Sequence, residues 1–265
     1  TAHAIQQRTE AYNTYDLNSK TVTLSFKVQT NWSGNLPIAF HNTSFGRSYI
    51  VDVSVSSGTN TISTSVLLEA ATIAANDNNR GVIVTIGANQ EGNARTGTTG
   101  SWVATTSLCS TSSTQWMKTI NNYINVTEIQ LEEGSVATPF EHRSYGEELA
   151  LCQRYLPAFN AESTTDTFAI GTFTSNAIAF INYPFLVEPR VTPTGITISN
   201  VAHVQLYGPG GGTSAATGVV FNGGTCKKLG RLQVNGTGTP YTAGQGAEVF
   251  SNNATLQLLW TGCEI

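Results

Sequence analysis

Hydrophobic and polar residues alternate strictly through segment 20–30, where Val22, Leu24, Phe26 and Val28 are separated by Thr, Ser and Lys. This period of two predicts a strand with one buried face in an antiparallel sheet. Comparable patterns predict strands at 36–40, 48–56, 61–67, 81–86, 101–106 and 123–131. Turn-forming runs rich in Gly, Asn and Ser separate them, as at 57–60 and 91–93. Many short strands at regular spacing predict a jelly-roll β-sandwich.

A strand pattern returns after Pro157 and continues to the end of the sequence. Candidate strands lie at 168–173, 177–183, 195–199, 203–207, 218–221, 231–234 and 255–260. The glycine-rich segment 208–217 is expected to be a flexible loop, and 222–225 a tight turn. The second half of the chain is therefore predicted to be an antiparallel β-sandwich as well.

One short helix is predicted between the two β regions. Ser144 and Glu147 match the S-x-x-E capping box, and Pro157 ends the helical pattern. Spacings of four, three and four residues align one apolar stripe, called here the helix stripe: Tyr145, Leu149, Cys152 and Leu156. The helix alone favours packing of this stripe on the chain's own sheet. Packing against copies of the chain around a threefold axis is the alternative.

Together these patterns predict an all-β protein with three parts. Residues 1–141 form a jelly-roll β-sandwich, 142–157 a linker helix, and 158–265 a C-terminal antiparallel β-sandwich domain. A length of 265 residues suits two domains of ordinary size.

Composition narrows the possible partners. Charged residues make up 11% of the sequence, the net charge is −4, and no basic stripe is present, which argues against nucleic-acid binding. No apolar run approaches the ~18 residues of a membrane span, so membrane insertion is not predicted. The first four residues carry neither the charged nor the apolar region of a signal peptide.

The four cysteines, Cys109, Cys152, Cys226 and Cys263, lack the C-x-x-C spacing of zinc sites. Cys152 lies on the helix stripe and is expected to be a small buried hydrophobic residue. A disulfide between Cys226 and Cys263 remains open from the sequence.

No catalytic motif is present, and no enzymatic activity is predicted. The four histidines form no metal-binding pattern, and there is neither a nucleophile elbow nor a phosphate loop. A glycosidase would need two carboxyl groups facing a sugar, for which the candidates are Asp16, Asp52, Asp77, Glu128 and Glu132. No cofactor is expected. A structural Ca²⁺ near Asp16 or Glu128 is conceivable, although no ligand spacing supports it.

Aromatic side chains offer a different chemistry, because a sugar ring stacks on an exposed aromatic face. Trp32 is the first candidate, since it lies in the polar turn Asn31-Trp32-Ser33-Gly34 at a strand end. Tyr49 is a second. Tyr207 and Tyr241 flank loops of the C-terminal domain, which is expected to be the distal or receptor-binding part, so both are candidate receptor contacts. Trp102 and Trp116 lie in strand-like patterns and are expected in the core.

Segments 130–141, QLEEGSVATPFE, and 148–155, ELALCQRY, closely resemble a joint found in bacteriophage virion proteins, mainly tail fibres. In that family a jelly roll similar to carbohydrate-binding modules ends in such a strand and helix. Segments 6–10 and 17–28 are similar to the family's opening, and 189–194 to a later strand. Two departures are Thr9, where Ile is usual, and Lys27, where Trp is frequent. The Lys27 departure puts in doubt any sugar site that would use this Trp.

The resemblance implies a non-enzymatic virion protein, on the tail or the capsid exterior. Its partners would be its own copies in a homotrimer, other virion proteins and host-surface glycans. A capsid decoration protein is the first alternative, and a free carbohydrate-binding module is the second. The joint is expected to be structural rather than ligand-binding, and its key residues are Glu132, Pro139, Phe140, Glu141, Arg154 and Tyr155.

Overall fold

The chain divides into two compact units, residues 1–142 and 143–264, in a computed structural model that describes residues 2–90, 97–210, 212–237 and 241–264. Strands account for 49% of the chain and helical segments for 9%. These proportions, with antiparallel sheets throughout the named strands, confirm the predicted all-β class. The turn predicted at 91–93 lies outside the described residues.

The first unit contains two antiparallel sheets. Its strands are β1 (Ala2–Glu10), β2 (Thr21–Thr30), β3 (Gly34–His41), β4 (Ser48–Val55), β5 (Gly58–Leu67), β6 (Arg80–Gln90), β7 (Trp102–Val103) and β8 (Ile124–Glu133). Short 3₁₀ turns lie at Ala11–Asn13, Tyr15–Leu17 and Trp116–Lys118. Five strands pair in the order β1-β6-β3-β4-β7, and three in the order β5-β2-β8.

The core of the first unit lies between these sheets. Alternate side chains of the two sheets pack together in it. They include Val22, Leu24, Phe26 and Val28 of β2 and Leu36, Ile38 and Phe40 of β3. The alternation seen in segment 20–30 is therefore confirmed as one buried face and one polar face. Burying a side chain of this size stabilises the fold by roughly 1.5–3 kcal/mol relative to leaving it exposed.

The edge strand β8 carries a bulge at Glu128. The pairing of β2 with β8 shifts register between Ser25 and Lys27, and Glu128 adopts a φ of 53°. Its carboxylate lies 2.8 Å from Lys27 Nζ. A bulge and a charged pair at a sheet edge both disfavour pairing with a foreign strand. Lys27, at the position where the resembling family often has Trp, therefore forms an ion pair on the outer face.

The second unit begins with the helix α1 (Tyr145–Tyr155) and continues with strands. They are β9 (Ala158–Asn160), β10 (Thr167–Phe173), β11 (Ile178–Pro184), β12 (Gly195–Ile198), β13 (Val204–Gly208), β14 (Gly212–Phe221), β15 (Leu229–Gly236), β16 (Gly246–Ser251) and β17 (Gln257–Thr261), with a 3₁₀ turn at Val201–His203. Six strands close into a barrel in the order β10-β11-β15-β14-β13-β16, and β12-β17-β9 form a separate sheet.

An aromatic cluster around Trp260 anchors the core of the second unit. Trp260 is fully buried, with the rings of Tyr183 and Phe185 at centroid distances of 5.6 and 5.2 Å. A side chain at Gly230 would place its Cβ 2.2 Å from the Trp260 ring, so any other residue at this strand position would require the ring to shift. Such close approach explains a glycine inside a strand.

Helix α1 confirms the predicted cap. Ser144 Oγ accepts a hydrogen bond from Glu147 N–H, and Glu147 Oε2 accepts one from Ser144 N–H. The expected packing of its stripe on the chain's own sheet is wrong, because no residue of α1 is buried. Tyr145 is 83% exposed, and Cys152 is exposed instead of buried.

Several strands differ from the sequence prediction. β1, β9 and β16 were not predicted, because their segments are short or mostly polar. The flexible loop expected at 208–217 is wrong from Gly212 onward, where β14 pairs with β13 and β15. The residues of this segment are mostly small, so the sequence shows no alternation of hydrophobic and polar positions there. The strand forms because its backbone pairs with the neighbouring strands. The strand predicted at 101–106 shrinks to β7.

Candidate ligand-binding groove

A groove in the first unit lies where β4 and β5, which belong to different sheets, come together. It encloses about 330 Å³, within the range of small-ligand sites. Two loops complete it. Six of its lining residues carry aromatic, carboxylate or hydroxyl groups: Tyr49, Asp52, Thr64, Ser65, Thr99 and Ser112. The groove is therefore polar, with one aromatic side chain.

Hydroxyl groups dominate a depression beside this groove. The depression encloses about 570 Å³, shares Thr99 and Ser112 with the groove, and adds Thr98 and Thr111. Threonine hydroxyls both donate and accept hydrogen bonds. The two hollows together present an array of groups suited to a ligand that carries hydroxyls.

Asp52 organises one wall of the groove. Three serine hydroxyls donate to its carboxylate: Ser110 and Ser112 to Oδ2, the latter at 2.7 Å, and Ser113 to Oδ1 at 2.6 Å. Ser110 N–H also donates to Ser113 Oγ at 2.9 Å. Charge-assisted hydrogen bonds of this kind are stronger than neutral ones. The carboxylate therefore fixes the turn 110–113 against β4.

Tyr49 contributes the aromatic part. It is half-buried, and its ring centroid lies 5.8 Å from that of Trp102 in a tilted arrangement. Trp102 Nε1 in turn donates to the carbonyl oxygen of Leu67, the last residue of β5, at 2.9 Å. Both rings pack on the core of the sandwich. Two residues named from the sequence lie in the groove: Tyr49, a candidate for sugar stacking, and Asp52, a candidate carboxylate. Thr64, Thr99 and Ser112 gave no sequence signal beyond being hydroxyl residues.

Trp32 does not present an exposed ring, so this candidate was wrong. It is only 8% exposed, stacks on Trp116 at a centroid distance of 6.0 Å, and donates from Nε1 to Tyr123 O at 3.1 Å. The other residues of the turn at 31–34 are polar or glycine, whereas the indole ring of Trp32 packs in the core. Trp116 is buried, as expected, and Trp102 is partly buried.

The two tyrosines of the second unit differ in exposure. Tyr207 is 44% exposed on β13, outside the barrel core. Tyr241 is 3% exposed and stacks on Phe173 at 4.0 Å, and its hydroxyl lies 3.0 Å from Leu206 O. The expectation that Tyr241 offers a receptor contact is therefore wrong, because both its ring and its hydroxyl serve the barrel.

The joint motif has a defined local geometry. Residues 134–141, called here the strap, follow β8 and are held to it by two of its side chains. Glu132 accepts hydrogen bonds from Thr138 N–H at 2.9 Å and Thr138 Oγ1 at 2.7 Å. Gln130 Oε1 accepts one from Glu141 N–H at 2.9 Å. The Thr138 hydroxyl, then its N–H, then Gln130 lower the pKa of Glu132.

The other joint residues occupy separate places. Phe140 is half-buried and meets His142 edge-on at 5.0 Å, while Pro139 is exposed in the strap. Arg154 O accepts a hydrogen bond from Arg190 N–H at 2.8 Å, which ties the end of α1 to segment 189–194. Tyr155 is half-buried at the last position of the helix. The hydrogen bond and the ring contact are packing interactions between neighbouring parts of the chain.

The remaining candidate carboxylates are engaged by neighbours. Asp16 lies 3.9 Å from Lys20, and Asp77 accepts from Asn79 N–H at 2.8 Å. With Glu128 beside Lys27 and Glu132 on the strap, none of these faces the groove lined by Asp52. Across the described ranges, no group of three or more His, Cys, Asp or Glu side chains could hold a metal ion.

All four cysteines are free thiols, so the structure contains no bridge between Cys226 and Cys263. Cys226 is exposed on a turn, whereas Cys263 is buried. Burial is the first cause that raises the pKa of Cys263, to about 11.

Comparison with known proteins gives no family. A scan against models of protein families found no match, and a search of curated proteins found no similar sequence. None of the helices in the described part of the chain has both the length and the apolarity needed to cross a membrane.

Proposed function

We propose that this chain is a non-enzymatic structural protein of a phage virion, a tail-fibre component that holds host-surface glycans. The observation that carries the proposal is the groove between β4 and β5, where hydroxyl groups surround a tyrosine and a single carboxylate. Sugar recognition in proteins rests on hydrogen bonds to ring hydroxyls and on contact with aromatic faces. Recognition of this kind requires no cofactor.

Absence of a catalytic step is part of the proposal. Retaining and inverting glycosidases both use two carboxyl groups on either side of the scissile bond. Among the described lining residues of the groove, Asp52 is the one carboxylate, and three serine hydroxyls already donate to it. The groove thus supports binding of a sugar better than its cleavage.

Placement on a virion rests on the resemblance of the joint. Residues of the resembling segment are hydrogen-bonded to one another in the strap: Thr138 to Glu132, and Glu141 to Gln130. The motif positions therefore share a local structural role, which supports the resemblance. A strand whose side chains hold its own continuation suits a protein in which one β unit is followed by another.

We further propose that copies of the chain associate as a homotrimer through the helix stripe. Helix α1 has 11 residues and buries none of them. Isolated helices shorter than about 12–15 residues are marginal in water, so packing against a partner would stabilise it. The stripe positions within the helix, 145, 149 and 152, follow the alternating spacing of d and a positions in a heptad repeat, and Leu156 follows at the C-cap.

The glycan proposal is tested with the purified chain on an array of bacterial surface polysaccharides and on whole bacterial cells. Binding to a polysaccharide with no release of sugar is expected. Immunogold labelling of virions is expected on the tail. Labelling of the capsid combined with no glycan binding would instead favour a decoration protein, and reducing-sugar release would contradict the non-enzymatic proposal.

The trimer proposal is tested by sedimentation equilibrium. We expect three times the monomer mass for the native chain and a shift to monomer for Leu149→Glu. Leu151 is equally exposed, at 42% against 41% for Leu149, but lies off the stripe, so Leu151→Glu is the matched control. A native chain that sediments as a monomer at micromolar concentration would contradict this assembly.

A further inference from the structure

We infer that the groove selects neutral or amino sugars over anionic sugars, because Asp52 fixes both its charge and the direction in which its wall offers hydrogen bonds. This inference rests on the proposed glycan binding and specifies the chemical class of ligand. It assigns Asp52 the part of a positioning residue and Ser112 the part of a ligand contact.

Asp52 is the one charged side chain among the described residues that line the groove and the adjoining depression. Arg47, which directly precedes β4, is paired with Glu69 through two hydrogen bonds of 2.6 Å. The charge that the described lining residues place in the groove is therefore negative, and a sugar carboxylate or phosphate beside Asp52 would meet like charge.

The hydrogen bond between Ser112 and Asp52 determines which kind of partner Ser112 can take from a ligand. A carboxylate only accepts hydrogen bonds, so in its 2.7 Å contact with Asp52 Oδ2 the Ser112 hydroxyl is the donor. Ser110 Oγ, 2.8 Å from Ser112 Oγ, donates its own proton to the same carboxylate oxygen. Ser112 Oγ is then left able to accept only, and it lies on the exposed surface of the groove. Its natural partner is a donor, such as a sugar O–H or the N–H of an amino or acetamido sugar. A carboxylate or phosphate group offers no proton to it.

Hydroxyls that line the groove without an internal partner complete the site. Thr64 and Thr99 form no side-chain hydrogen bond with any described residue, and both line the groove. They can donate or accept, as the ring hydroxyls of a pyranose can. Tyr49 adds an aromatic surface beside them. A neutral ring satisfies all of these groups, whereas an anion satisfies only the donors.

The experiment compares matched glycans by isothermal titration calorimetry on the full chain. Each neutral oligosaccharide that the array identifies is paired with its sialylated or otherwise carboxylated derivative; lactose and sialyllactose are the reference pair. We expect the neutral member to bind about tenfold more tightly, or more. Asp52→Asn should reduce this ratio several-fold. Asp77→Asn, which removes the same charge from a turn-capping carboxylate outside the groove, should leave it unchanged.

A second set of variants protects the test against loss of folding. Ser112→Ala removes the acceptor from an exposed position and should weaken neutral ligands about tenfold or more. Its melting temperature should fall only slightly, because Ser110 and Ser113 still donate to Asp52. Thr64→Val should also weaken binding. Thr61→Val is its control, since Thr61 lies on the same strand and is exposed on the opposite face.

The outcomes separate the two proposals. Tighter binding of the anionic member, or an unchanged ratio in Asp52→Asn, would overturn the selectivity. Neutral binding that survives both Ser112→Ala and Thr64→Val would overturn the assignment of the groove, while glycan binding by the chain would stand. If the native chain binds no glycan at all, the proposed function fails and the inference fails with it.

Discussion

Glu132 receives both the backbone N–H and the side-chain hydroxyl of Thr138, at 2.9 and 2.7 Å, six residues further along the chain. One carboxylate thereby fixes the strap against the strand from which it emerges. The contact gives the acidic residue and the threonine of this segment a shared structural role.

Removing this carboxylate should loosen the strap. In Glu132→Ala we expect the amide hydrogen of Thr138 to exchange with solvent at least several-fold faster, because its acceptor is lost. Hydrogen-exchange mass spectrometry of residues 134–141 measures this. Glu133→Ala is the control, since Glu133 pairs with Lys20 at 2.8 Å instead. Equal exchange in both variants would show that Glu132 does not hold the strap.

The buried histidine of β3 should make the first unit sensitive to acid. His41 is fully buried, Nε2 lies 3.2 Å from Thr85 Oγ1, and Nδ1 has no partner within the described chain. Burial lowers the pKa of His41 to about 4, from 6.5. The unfolded chain therefore takes up a proton at a higher pH than the folded chain does. Stability is fully present above pH 6.5 and is lost as the pH falls toward 4.

The lowered pKa of His41 should reduce the free energy of unfolding by about 3 kcal/mol as the pH falls from 6.5 to 4. Urea unfolding at a series of pH values measures it. His41→Gln should flatten the dependence even if it lowers stability at every pH. His142→Gln, which changes an exposed histidine, should leave the slope as in the native chain. An unchanged slope in His41→Gln would assign the acid sensitivity elsewhere.

Thiol reactivity should divide the four cysteines into two classes. Cys152 and Cys226 are exposed, whereas Cys109 and Cys263 are buried, and burial is the first cause that raises the pKa of both buried thiols. A thiolate is the reactive form, so the buried pair should be inert in the folded chain. With a chromogenic disulfide reagent we expect four thiols to react in denaturant. In buffer we expect two to react in the monomeric Leu149→Glu variant and one, Cys226, in the proposed native trimer, where Cys152 lies on the buried helix stripe. A lower reactivity for Cys152 alone would agree with burial of the helix stripe in an assembly.

Close packing at Gly230 gives a prediction for the second unit. In Gly230→Ala the new Cβ would lie 2.2 Å from the Trp260 ring, and overpacking of this kind costs about 1–3 kcal/mol. Gly223→Ala is the control, because no atom lies within 4 Å of its added Cβ. Thermal unfolding followed by tryptophan fluorescence compares them. Similar melting temperatures for both variants would mean that Trp260 can shift to accommodate the change.

The sequence pattern was sufficient to predict an element where residues a few positions apart determine it. The period of two through β2 specified a strand with one buried face, because alternate side chains of a strand point to opposite sides. The capping box specified the start of α1, because its hydrogen bonds join residues three apart. The same local reasoning failed for β14, whose small side chains carry little pattern and whose position depends on strands before and after it.

Burial of individual aromatic side chains was decided by contacts distant in sequence. Trp32 looked exposed from its polar neighbours, but Trp116, far along the chain, covers its ring. Tyr241 was placed at a loop, yet its ring stacks on Phe173 of the barrel. The groove combines β4, β5 and the turn at 110–113, which only folding brings together.

The sequence by itself determined the all-β class, the position of the capped helix and the joint motif, since each is encoded by residues a few positions apart. Only the tertiary structure decided that Tyr49 and Asp52 share a groove with Thr64 and Ser112. The physical reason is that a site between two sheets depends on how distant strands pack. That packing is set by the whole core rather than by the sequence near any one of its residues.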